Sequence, residues 1–270
     1  MKKYDIVYSI TAHEAIDCVW NLYENIMEFH PGLNVLVVFH TSKKLYRECE
    51  KFPERDNLWF HPIPKDKARF TSAIFLAHLK NYSLIERMNF DLFCTLASNC
   101  MFVRPYTPVT PAELAPSPTG YSLGDEERWQ AQEFLKNPKL VDVFERESIK
   151  VETNIHEGAY FRKETIEWIV LFCWDNGIDE DAFLHDTLAA EEVILPSLEK
   201  RATGRVGPRY AAWIPGITLE DVKSMAETGT CRSVVGDHFN IVKIPRKMDD
   251  PMRIYINELM VAHHELPQTT

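Results

Sequence analysis

The N-terminal third alternates between two hydrophobic periods, and that alternation leaves few architectures open. Tyr4–Ile10 (YDIVYSI) is a short β-branched and aromatic run of the kind that makes a buried strand. Ala12–Glu28 then places Ala15, Val19, Leu22 and Ile26 at helical spacing, and Gly32 breaks the chain. Asn34–His40 (NVLVVFH) reads as a second strand, Tyr46–Phe52 as a short helix and Leu58–Pro62 as a third strand. Phe70–Arg87 reads as a helix and Phe90–Ser98 (FDLFCTLAS) as a fourth strand. A βαβαβαβ order of this kind predicts an α/β fold with a mainly parallel central sheet flanked by helices. Ligands of such sheets bind beyond the carboxyl ends of the strands. Here those ends are Thr11-Ala12-His13, His40-Thr41-Ser42 and Ser98-Asn99-Cys100.

Composition narrows the function classes. A chain of 270 residues that is 45% hydrophobic is no disordered segment, and it needs no disulfide or metal staple to fold. A net charge of −10 argues against a general nucleic-acid binder, while leaving room for a local basic cleft that takes one phosphate group. With 10 glycines the chain has no G-x-G-x-x-G after its first strand and no G-x-x-x-x-G-K-[ST], so the usual dinucleotide and P-loop cradles are missing. The 6 cysteines form no C-x-x-C pair; Cys18, Cys94 and Cys173 sit in apolar runs, as buried free thiols of a reducing compartment do. No leader is visible, and the longest apolar run, around Trp168–Trp174, ends at Asp175. The expectation is a soluble cytoplasmic protein with no transmembrane segment, with peripheral contact to a membrane left open.

The remainder is less periodic. Pro105–Pro118 is a proline-rich excursion. Helical patterns follow at Asp125–Leu135 and Glu164–Asn176, a helix pair at Glu180–Leu198, a strand at Arg209–Trp213, and helices at Thr218–Glu227 and Pro251–Leu259. The expected organisation is a single domain over 1–270, with a nucleotide-sugar-binding half at 1–104, a loop at 105–124 and an acceptor and catalytic half at 125–270. Metal and hydrolase signals are weak. No H-E-x-x-H, EF-hand loop, spaced Cys/His cluster or G-x-S-x-G elbow occurs. Asp179-Glu180-Asp181 is explained by carboxylates opening a helix.

Several segments, taken in order, point further. Phe90–Val103 (FDLFCTLASNCMFV), Glu157–Phe161 (EGAYF), Glu191–Leu198 (EEVILPSL), Arg209–Trp213 (RYAAW) and Arg246–Asp249 (RKMD) follow one another through the chain. This series resembles the core-2/I-branching β-1,6-N-acetylglucosaminyltransferases and peptide O-xylosyltransferases. That family shows Y-D-Y-F-x-x-L-S-G-x-D-F-P-L, G-S-x-Y/W-F, P-[DE]-E-x-x-[FW]-x-T-[IVL], R-Y-x-x-W and a basic [NR]-K-F motif in the same order. Ser9–His13 (SITAH) is similar to the family's first strand. Cys100 stands where the family has Asp, and Leu195 and Ser197 replace the aromatic and Thr of the acidic helix.

The resemblance implies a GT-A-like fold and an inverting, metal-independent glycosyltransferase. Such an enzyme moves a GlcNAc- or xylose-like sugar from a UDP-sugar to a glycan or other hydroxyl acceptor, without a cofactor. Transfer of this kind needs a base for the acceptor hydroxyl and positive charge for the departing diphosphate. By the resemblance, Glu192 is the base. Lys247 with Arg246, and with His13, Ser98 and Cys100 at the strand ends, would meet the donor, Lys247 matching the family's phosphate lysine. Arg232 is the other arginine that could pair with it. Glu157, Tyr160, Tyr210 and Trp213 would meet the acceptor. Each has a plain structural explanation: a solvated basic face at Lys243, Arg246, Lys247 and Arg253, a surface pairing for Glu191 or Glu192, and core packing for the aromatics. Adjacent carboxylates face different directions, so Glu191 is expected to be a bystander. Two other readings stay open: a catalytically inactive sugar- or nucleotide-binding protein of the same fold, and an unrelated nucleotide-dependent α/β transferase.

Overall fold

The structure, a computed structural model, describes residues 2–13, 15–62, 73–106, 128–179, 182, 187–207, 209–212, 216–231 and 239–265. Strands β1 (Lys3–Ala12), β2 (Val35–Thr41), β3 (Leu58–Pro62) and β4 (Asn89–Ala97) lie where the period-two and apolar runs place them. Helices α1 (Ile16–Glu28), α2 (Lys43–Cys49) and α3 (Ala73–Ile85) connect them. The main sheet has the order β3-β2-β1-β4-β6, with β6 at Ala159–Arg162. β1 pairs in parallel with β2 and with β4, and β2 in parallel with β3; only β6 runs antiparallel, against β4. The expected mainly parallel sheet flanked by helices is therefore the observed architecture. β2 is buried at every position, as a strand covered on both faces must be.

Two apolar layers sandwich this sheet. On one face Ile6, Tyr8, Ile10, Val37 and Phe39 pack with Val19, Leu22 and Ile26 of α1. This layer continues into a second, three-stranded sheet of order β5-β8-β7, from Cys100–Phe102, Ile241–Lys243 and Ala211–Ala212. On the other face Val7, Leu36, Val38 and Phe93 pack with α3 and with the helices of the second half. Those are α4 (Trp129–Leu135), α5 (Pro138–Arg146), α6 (Lys163–Asp175) and α7 (Glu191–Thr203). Helices α8 (Leu219–Thr228) and α9 (Pro251–Glu265) close the chain. No helix among the described residues is long and apolar enough to cross a membrane.

The second half departs from its sequence pattern in several places. The helix expected over Asp125–Leu135 begins at Trp129, and α5 follows it after Asn137. Asn137 caps α5 by accepting from the amides of Lys139 and Leu140, with Pro138 at the first helical position. The expected helix pair at Glu180–Leu198 is, among the described residues, one helix that starts at Glu191 and runs to Thr203. The strand expected over Arg209–Trp213 is two residues long, preceded by a bridge from Arg209 to Ala159. The excursion at Pro105–Pro118 lies outside the described residues from 107 on, as do Arg232, Asp181 and Trp213.

Candidate functional site

The site grows from the carboxyl end of β4, beside β1, where the sheet order turns from β2 on one side to β4 on the other. Open parallel sheets place their ligands at such a point. The peptide that leads into β6 passes over it. The Thr95 hydroxyl donates to the carbonyl of His156 (2.5 Å), and the Gly158 amide donates to the carbonyl of Thr95 (2.9 Å). Gly158 has φ +70°, and a Cβ there would sit 2.6 Å from the backbone nitrogen of Ala211. Glycine is therefore required where this peptide meets β7.

α7 carries the two acidic residues to the same place. Pro196 within this helix has no N–H for the carbonyl four residues back, which is that of Glu192. The Asn154 amide donates to that carbonyl instead (2.9 Å). Ser197 adds a second tie, its hydroxyl accepting from the Glu152 amide (2.8 Å). Arg209 clamps the peptide from beneath: its Nε donates to the Ile155 carbonyl (2.8 Å) while its Nη2 meets Glu199 of α7 (3.0 Å). The break in α7 and the buried ion pair thus hold residues 152–158 against the first turns of the helix.

Lys243 reaches the same place from β8. β5 follows β4 after Ser98-Asn99, and its Cys100 is paired with Lys243 across the small sheet. Asn99 locks the strand ends together. Its carbonyl accepts from the Ile244 amide (2.9 Å), its Nδ2 donates to the Ile244 carbonyl (3.1 Å), and its Oδ1 accepts from Arg246 (3.2 Å). The Lys243 ammonium is bonded to Glu157, whose other carboxylate oxygen lies 3.4 Å from His156 Nδ1. Glu191 Oε1 is 3.9 Å from that nitrogen. Glu192 accepts from Gln130 at the start of α4 (3.0 Å).

The charges follow from burial and pairing. His156 is 3% exposed, and burial lowers it to about 4, so the ring is neutral at pH 7. Burial also opposes ionisation of Glu157, but His156 and the Lys243 ammonium beside it outweigh burial and hold it at about 2. With the imidazole neutral, the ammonium is the cation that counts. Glu191, 3% exposed, is pushed well above the ordinary carboxylate range by burial and then by Glu192; its Oε2 has no hydrogen-bond partner. Glu192 is raised to about 7 by burial and by the Glu157 anion, against the hydrogen bond from Gln130 and the charge of Lys243. A half-buried carboxylate that takes up a proton near neutral pH is suited to general-base work. Donor atoms of His156, Glu157 and Glu192 converge within 4.8 Å.

The expected site residues fall into distinct places. Glu192 and Glu157 are together in the cluster, with Cys100 beneath them. Burial and then Glu157 push the Cys100 thiol up to about 12, so it is no thiolate nucleophile at neutral pH. Ser98 is buried at the end of β4, and His13 is exposed at the end of β1. Arg246 lies against Asn99, and Lys247 beside it is exposed. Tyr160 is buried with its hydroxyl 3.0 Å from that of Tyr8, and Tyr210 packs edge-on against it. The basic group read from sequence is divided: Lys243 joins the acidic cluster, while Arg253 is fully buried and donates to Asn21 of α1 (2.8 Å). Glu191 lies beside the same peptide, its Oε1 3.9 Å from His156 Nδ1. His156 and Gln130 had no sequence signal beyond lying near EGAYF and the α4 helix. Lys243 carried one, its place in the basic group, but its partner Glu157 is 86 residues away.

No family model and no curated protein matches the chain. Among solved structures it is similar to an active-site mutant of LgtC, with 12% identity over 98% of this chain and 98% of that one, at a TM-score of 0.45.

Proposed function

We propose that the chain is an inverting glycosyltransferase that takes its sugar from a UDP-sugar and needs no metal. The observation that carries this reading is Glu192: a half-buried carboxylate at the carboxyl end of a parallel sheet, raised to about 7 and flanked by Lys243. The order of EGAYF, EEVILPSL, RYAAW and RKMD along the chain supports the same assignment. In this reading Glu192 takes the proton of the acceptor hydroxyl as its oxygen attacks the anomeric carbon. The new C–O bond forms on the face opposite the diphosphate. The bond to the diphosphate breaks, and the electron pair leaves with UDP. An α-linked donor then gives a β-linked product. Arg246 and Lys247 stabilise the departing charge, and Tyr210 lies on the acceptor side.

Incubation with UDP-GlcNAc or UDP-xylose and a panel of hydroxyl acceptors in EDTA tests the reading. Release of UDP with a β-configured product is the expected result. Transfer with retained configuration, or no transfer from any UDP-sugar, would contradict it. Lys247→Ala is expected to weaken donor binding as well as slow transfer, since a diphosphate contact acts in both the ground and the transition state.

A further inference from the structure

We propose that Lys243 and Glu157 are positioning residues for Glu192, a buried ion pair that sets how readily the base takes up a proton, rather than contacts for a sugar. The proposal rests on the reading of Glu192 as the base. Glu157 is 2% exposed, so it offers a ligand almost no surface. One of its carboxylate oxygens is bonded to Lys243 and the other faces His156 at 3.4 Å. Lys243 is held by the β5–β8 pairing and feels the charge of both Glu157 and Glu192.

The groups that face Glu192 come from four directions. Glu191 precedes it on α7, and His156 and Glu157 come from the peptide before β6. Lys243 comes from β8, and Arg128 and Gln130 from the start of α4. His156 is neutral at pH 7, and burial pushes Glu191 well above the ordinary carboxylate range, towards its neutral form. Of the charged groups, Glu157 favours protonation of Glu192, while Lys243 and Arg128 oppose it. Alone, Glu157 would raise the base further, and Lys243 alone would lower it. As a pair they leave a balance in which the anion weighs more. The pair also explains why a lysine lies under an acidic cluster instead of pointing to solvent: without it Glu157 would be an uncompensated buried charge.

Carboxyl 13C NMR of the full chain labelled at Glu Cδ, with the Glu192 signal assigned by its absence in E192Q, reads this directly. E157Q is expected to move the Glu192 midpoint down by about one pH unit or more, and K243M to move it up by a similar amount. The E157Q/K243M double variant should still move it down, by less than E157Q, because the anion outweighs the cation, and it leaves no unpaired buried charge if a single variant does not fold. A midpoint unchanged in E157Q and in the double variant would overturn the proposal, as would shifts in the same direction for E157Q and K243M. The titration needs no substrate, so failure of sugar transfer would count against the base assignment and not against the pair's control of Glu192. Where transfer occurs, the acid limb of kcat/KM should move with the NMR midpoint. A merely structural role would lower the amplitude and leave the limb in place.

Discussion

The parallel half of the molecule and the half that carries the site bury polar groups in opposite ways. Under the parallel strands the buried groups are neutral and bond one another. Tyr8 shares a hydrogen bond with His30 (2.6 Å), Ser9 with His78 (2.8 Å), and Asn81 donates to Ser9 (2.9 Å) and to the Val38 carbonyl (3.2 Å). Around α7 and β8, beside the neutral His156, ion pairs are held in the interior: Glu157 with Lys243, and Glu199 with Arg209. Neutral networks stabilise modestly and can be replaced, whereas removing one member of a buried ion pair strands a charge. The difference teaches that the sheet is a scaffold made by apolar burial, while the site is a set of charges held in place by long-range pairing.

The sharpest way to break this contrast is Arg209→Met, which leaves Glu199 buried without its partner. A loss of about 3–5 kcal/mol in urea unfolding is expected. Pairing it with Glu199→Gln should recover most of that loss, and a single-variant loss below about 1 kcal/mol would show that the pair is not an anchor. Gly158→Ala comes next. Its φ of +70° and the 2.6 Å approach to Ala211 demand backbone movement. The strain alone is about 1–3 kcal/mol. Turnover should fall with stability, because the displaced peptide carries His156 and Glu157.

The buried histidines and Glu192 should titrate in opposite senses. Burial depresses His30 and His40 to about 4, so the unfolded chain binds more protons than the folded one between about 6.5 and 4. Their contribution is present above pH 6.5 and is lost as pH falls towards 4. Glu192 is raised to about 7, so its contribution is present below about 4.5 and is lost as pH rises through 7. Unfolding free energies at pH 5, 6, 7 and 8 test both. His30→Gln should remove about 2 kcal/mol of the loss between pH 7 and 5. Glu192→Gln should remove a comparable loss between pH 5 and 8. Unchanged slopes in both variants would remove the contrast.

The same contrast explains what could be read from residues alone. β1 to β4 and their connecting helices were legible because apolar periodicity is a local signal, and YDIVYSI or NVLVVFH carries it within seven residues. α8 was legible for the same reason, with Thr218 and Asp221 forming its capping box. The short strands β5 and β8 were not, since three residues hold no period and form through pairing with distant partners, while β7 was legible only as a longer strand over Arg209–Trp213. α5 was not legible from apolar periodicity, although Asn137-Pro138 is a helix-start signal. Within the site, Glu192 and Glu157 were visible through the motifs that contain them. The joining of Lys243 to Glu157 and of Arg246 to Asn99 was invisible, the latter spanning 147 residues. So was the role of Pro196, which matters only because Asn154 bonds the carbonyl it leaves open.

The central claim is that Glu192 removes the acceptor's proton. Turnover of Glu192→Gln and Glu191→Gln, compared with the native chain on the same UDP-sugar and acceptor with UDP binding measured alongside, tests it most directly. Glutamine keeps the size and the hydrogen bond from Gln130 but cannot take up the proton. Glu192→Gln is expected to slow transfer by about 10²–10⁴-fold with UDP binding nearly unchanged. Glu191→Gln, which replaces a group that burial already pushes towards its neutral form, should cost far less. Native turnover in the Glu192 variant, or a larger loss in the Glu191 variant, would contradict the account.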